Sequence, residues 1–120
     1  MAAPKPAPSK LRISPDPMYQ LLRDGAIKEF NAKKASGQTC DLRSCDFRGL
    51  DLRGLDAAGL DFSDSYFRQA DLRGIDFREA KLEGASINTA QVSGVLFPAQ
   101  LSAQEIMLSL QFGTRMRYSA

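Results

Sequence analysis

Residues 40–99 read, in fives, CDLRS CDFRG LDLRG LDAAG LDFSD SYFRQ ADLRG IDFRE AKLEG ASINT AQVSG VLFPA, without insertion or deletion. The third residue of each unit is apolar, as at Leu42, Phe47, Leu52, Phe62, Phe67, Leu72 and Phe77, with Ala57 the small exception. Two residues earlier stands a second column of small or apolar residues, among them Cys40, Cys45, Leu50, Leu55, Leu60, Ser65 and Ala70. Asp fills most of the position between the columns, and Arg then Gly often follow the centre. A strict internal period is read before any local propensity, because it sets the architecture.

Apolar positions two apart share one side of an extended chain. The next comes three residues later, so a continuous strand would throw it to the wrong face. A helix of 3.6 residues per turn would spread a five-residue period around its whole circumference. Both columns stay inward only if the chain bends after every unit. Glycine at 49, 54, 59, 74, 84 and 94 suits that bend. Repeated inward bends wind the chain into a coil, and stacked coils form a solenoid.

The unit resembles the A(D/N)LXX repeat of pentapeptide repeat proteins, over Cys40 to Ala99. The resemblance implies an all-β solenoid: a right-handed quadrilateral β-helix with four units per coil. It gives about three coils, at 40–59, 60–79 and 80–99, and the flanking residues add short α-helical caps at both ends.

The flanks are read from their own chemistry. Residues 1–13, rich in Pro, Ala and Lys, are expected to form a flexible arm. Residues 14–39 are expected to make an N-terminal helical cap. Asp16 before Pro17 marks a helix start, Gly25 a break, and Gly37 the stop of a second helix. Ile27 or Phe30 should pack over the first coil, where Ala57 leaves room. Residues 100–120 are expected to hold a capping helix and a tail. Ser102 and Glu105 form a capping box, and Gly113 ends the helix. Something must cover each open end of a solenoid, where backbone groups and apolar columns lie bare.

Composition narrows the function. With 43% hydrophobic and 25% charged residues and no run long enough for a membrane span, the chain reads as one cytoplasmic domain without a membrane partner. Two Cys and no His argue against a disulfide framework or a metal centre, and no cofactor is expected. Catalysis is not expected either, since no nucleophile setting or phosphate-binding loop is present. Charge is uneven. Residues 1–39 carry seven basic and three acidic groups, residues 40–99 seven and ten, and residues 100–120 two and one.

Seven Asp precede centres, at 41, 46, 51, 56, 61, 71 and 76, and six Arg follow centres, at 43, 48, 53, 68, 73 and 78. These are outward positions. Arg43, Arg48, Arg53 and Arg73 each have an Asp three residues on, across the bend, where a pair would keep stacked arginines apart. The same R-x-x-D spacing is similar to one at some cyclic-dinucleotide sites, so nucleotide binding on the Arg/Asp faces is a weak alternative.

Tyr66 replaces the usual Asp and should point outward beside Arg48 and Arg68. Tyr and Arg are frequent anchors of protein interfaces. Tyr66, Arg48 and Arg68 are therefore the candidate partner-binding residues of a non-enzymatic protein–protein interaction module whose partner the sequence does not identify. The resemblance also suggests a DNA-mimicking modulator of an enzyme such as gyrase. Three coils reach only ~14 Å, and arginines interrupt any negative field, so direct nucleic-acid binding is not expected and mimicry ranks second. The C-terminal helix carries more apolar residues than one coil requires, which makes Met107 and Phe112 candidate contacts of a homodimer.

Overall fold

A computed structural model describes residues 12–119; the remainder of the expected arm, residues 1–11, lies outside the described residues. Parallel bridges join residues twenty apart: Asp46 to Tyr66 to Ser86, Asp51 to Asp71 to Gln91, Asp61 to Lys81, and Asp76 to Leu96. The hydrogen bonds share that register. The N–H of Phe47 reaches the Tyr66 carbonyl at 2.8 Å, and the N–H of Tyr66 reaches the Cys45 carbonyl at 3.1 Å. The repeat therefore closes one circuit every four units.

The expectation of an all-β solenoid is met only in part. Among the described residues each bridge stays isolated and no continuous strand forms. The chain bends after every five residues, so a ladder ends before it can lengthen. Six glycines make these bends with positive φ, and Ser44, Asp64, Gln69 and Thr89 adopt the same left-handed conformation. The bend thus survives without glycine, at a steric cost to those four residues.

The two inward columns form the core. Phe47, Phe62 and Phe67 are fully buried and Phe77 nearly so. Phe47 and Phe67 stack in successive coils with ring centroids 5.0 Å apart and planes 7° apart. Phe62 meets Phe67 edge-on at 5.5 Å. Ser65 is the polar member of the core: its hydroxyl donates to the Leu42 carbonyl at 2.7 Å and accepts the Cys45 N–H at 3.0 Å.

Helices α1 (Pro17–Arg23) and α2 (Ile27–Ala35) precede the first coil. Met18, Tyr19, Leu22 and Phe30 join its core, while Ile27 is half-buried against it. Tyr19 extends the aromatic stack by meeting Phe47 edge-on at 5.4 Å, and its hydroxyl donates to the Asp46 carbonyl at 2.6 Å.

Three groups then close the edge of this coil. The Asp16 carboxylate accepts the Asp41 N–H at 2.9 Å. The Asn31 side-chain amide donates to the Gly54 carbonyl and accepts the Asp56 N–H, each at 2.9 Å. Arg12, placed in the flexible arm by composition, instead pairs with the coil. Its N–H donates to Ser44 at 2.8 Å, and its carbonyl accepts the Asp46 N–H at 3.0 Å. The Asn31 amide thus acts at the Gly54–Asp56 unit as the Arg12 backbone acts at the Ser44–Asp46 unit.

Helix α3 (Ala103–Phe112) follows the last coil. The Ser102 hydroxyl accepts the Glu105 N–H, and Gly113 ends the helix at φ 73°. The tail beyond it does not trail away. Met116 is fully buried and pairs through its backbone with Gly84 and Ala85 at 2.7 and 2.9 Å. The Tyr118 hydroxyl accepts the Leu82 N–H at 2.9 Å. Within α3, the Ser109 hydroxyl accepts the Ile87 N–H at 2.9 Å, and the Leu110 carbonyl accepts the Thr89 N–H at 3.1 Å.

Candidate interaction face

The outward Asp and Arg pair differently from the expected R-x-x-D. In each D-x-R triplet the central residue points inward, so its two neighbours share the outward side. The guanidinium then meets the preceding carboxylate side-on. Nε and Nη2 donate to the two carboxylate oxygens at 2.9 and 2.8 Å in Arg48–Asp46, and at 3.0 and 2.8 Å in Arg53–Asp51. The distances are 2.9 and 2.7 Å in Arg73–Asp71, and 3.0 and 2.8 Å in Arg78–Asp76. The same Asp oxygen also accepts the Arg backbone N–H, as in Arg48 to Asp46 at 3.0 Å.

These donors favour the charged carboxylate. Hydrogen bonds from Arg53 and Arg78 hold Asp51 and Asp76 at about 2, and those from Arg48 and Arg73 lower Asp46 and Asp71. Arg53 also reaches Asp71 of the next coil at 3.3 Å. Most repeat carboxylates are thus matched to a cation on the same face.

Tyr66 interrupts that arrangement. It is half-buried at the bridge between Asp46 and Ser86, and its ring is not bare. The Arg115 guanidinium lies over it, 5.4 Å from the centroid, and donates through Nη1 to Asp64 at 3.1 Å. A cation over an aromatic face is an attractive arrangement. The other nitrogen of the fork, Nη2 of Arg115, is buried without a hydrogen-bond partner. Gly84 makes room for the pair, because a Cβ there would fall on the Asp64 carboxylate.

The three candidate residues therefore stand in different conditions. Arg48 is held by Asp46, and Tyr66 is partly covered by Arg115. Arg68 is exposed, and its side chain has no hydrogen bond or ion pair among the described residues. Arg48 and Arg68 occupy the same place in successive coils, linked by the Gly49 N–H to the Arg68 carbonyl at 2.8 Å. Sequence reasoning missed Arg115, whose only signals were an acidic Asp64 at a bend and a basic tail.

At the C-terminal end, Phe112 is 72% and Met107 49% exposed, with Leu96 of the last coil at 46%. Ile106 and Leu110 pack on the core instead. The N–H groups of Val92, Gly94 and Phe97 have no partner among the described residues, so two units of that coil edge are open. At the opposite end a groove of about 780 Å³ opens beside Asp51 and Arg53, under Gly25, Ile27 and Lys28.

Both thiols are free. Burial pushes Cys45 up to about 11 and raises Cys40 as well, which leaves them as packing groups rather than nucleophiles. No helix among the described residues is long and apolar enough to cross a membrane.

Residues 61–97 match the family model for pentapeptide repeats, in eight copies. No curated protein and no solved structure matches the chain. The bridges carry the same register back through Asp46 and Asp51, outside the matched residues. A five-residue period, a twenty-residue circuit and the family match converge on one conclusion: residues 61–97 are pentapeptide repeats.

Proposed function

We propose that this chain is a cytoplasmic, non-enzymatic interaction module. In this reading a right-handed quadrilateral β-helix of about three coils, capped at both ends, offers a protein partner a rigid face around Tyr66, Arg48 and Arg68. One observation carries it. Tyr66 is tied on both sides, to Asp46 and Ser86, so the side chains beside it project from a fixed lattice, and Arg68 among them has no internal partner among the described residues. Preorganised aromatic and arginine side chains lose little entropy on binding, which suits them as anchors. Affinity capture from the native host tests this. The wild-type chain should retain a specific protein that Tyr66→Asp loses; equal capture by both would move the interface elsewhere.

A second reading concerns assembly. The exposure of Phe112, Met107 and Leu96 supports a homodimer through α3 and the last coil. Apolar surface of that kind on a small protein marks an interface.

A further inference from the structure

The chain contains its own template for binding a carboxylate. In four repeat units a guanidinium holds Asp side-on through Nε and Nη2, and Arg117 holds Glu105 in the same way at 3.2 and 2.8 Å. Arg68 follows its centre, Phe67, as these repeat arginines follow theirs, but the residue two before it is Tyr66. Its fork meets solvent where theirs meet a carboxylate.

The surroundings add positive charge. Arg23, with Asp24 beside it, lies 3.5 Å from the Asp46 carbonyl, and Arg48, Arg68 and Arg115 share this face with Asp46 and Asp64. Both carboxylates are already engaged, by Arg48 and Arg115. The next face balances Arg53 and Arg73 against Asp51 and Asp71, and the one after sets Lys34 and Arg78 against Asp56, Asp76 and Glu79. The cationic excess is thus local to the face of Tyr66.

Building on the interaction-module reading, we infer that Arg68 anchors an acidic segment of the partner, taking one Asp or Glu carboxylate in the side-on fork used within the chain. A planar guanidinium and a carboxylate match in two parallel hydrogen bonds, which fix orientation as well as charge. The accessible part of the Tyr66 ring offers the adjoining apolar contact. Tyr66 also keeps the fork open, since an Asp at that position would satisfy Arg68 from within. Duplex DNA fits less well. It draws on a continuous row of cations, whereas the neighbouring faces interleave each Arg with an Asp.

The test is a titration of the full chain with hexaglutamate at low salt, following the arginine Nε–Hε signals by NMR. The Arg68 signal should shift and saturate. Arg68→Gln and Tyr66→Asp should each weaken binding about tenfold or more, with Arg73→Gln unchanged. Equal shifts at Arg53, Arg73 and Arg78, or full binding by Arg68→Gln, would overturn the inference. So would tighter saturation of Arg68 by a short DNA duplex or a phosphoserine peptide, in favour of a phosphate ligand. Host capture separates the two levels. A partner kept by Arg68→Gln removes this inference and leaves the module standing. Hexaglutamate bound at Arg68 with no captured protein supports the carboxylate site and removes the module.

Discussion

The Asp16 carboxylate accepts the Asp41 N–H at 2.9 Å through one oxygen, while its other oxygen accepts the Met18 N–H at 2.8 Å. One side chain thus starts α1 and closes an edge of the first coil. Asp16→Ala should cost about 2 kcal/mol, at the upper end for a lost helix cap, because a coil N–H loses its partner too. Denaturant unfolding measures this, and a loss below ~0.5 kcal/mol would mean that water replaces the carboxylate at both sites.

Phe67 lies between Phe47, stacked at 5.0 Å, and the edges of Phe62 and Phe77. Phe67→Ala should destabilise by about 3–5 kcal/mol, since a rigid solenoid cannot collapse into the cavity. A cost under ~1 kcal/mol would contradict the stacked register.

Stability should fall in acid. Asp51 and Asp76 titrate at about 2 when folded against an ordinary value of 3.8, held down by Arg53 and Arg78. A depressed folded value means that the unfolded chain binds protons more readily. The contribution is therefore complete above pH ~4 and disappears as pH falls toward ~2. Melting temperature should plateau above pH ~5 and decline below pH ~4, and Asp76→Asn should flatten that decline. An unchanged melting temperature down to pH ~2 would contradict the forks.

Much of this was legible in the sequence, because a five-residue period fixes which side chains point inward. Phe47, Phe62, Phe67 and Phe77 lie where the columns put them. The same alternation places Asp46 and Arg48 on one outward side, yet the R-x-x-D spacing drew the pairing across the bend. Contacts between distant segments were not legible. Arg115 over Tyr66, Arg12 against Cys45 and the return of Met116 depend on how the ends fold back, which periodicity does not encode. Asn31 was hidden for a related reason: its amide stands in for a peptide group, a role with no compositional signature.

Assembly is decided at Phe112. If α3 forms a dimer contact, light scattering at micromolar concentration should give about twice the 13.2 kDa chain mass, and Phe112→Glu should return it to the monomer. A monomer at all concentrations, unaffected by the substitution, would leave Met107 and Phe112 as solvated residues.

The central claim is that the face of Tyr66 and Arg68 meets a protein partner. Its most direct test is a photo-crosslinking residue placed in the native host at exposed Gln69, compared with the same residue at Glu79 on another face. The account predicts a discrete protein adduct from position 69, lost with Arg68→Gln, and none from position 79. No adduct from position 69, or the same adduct from both, would contradict it.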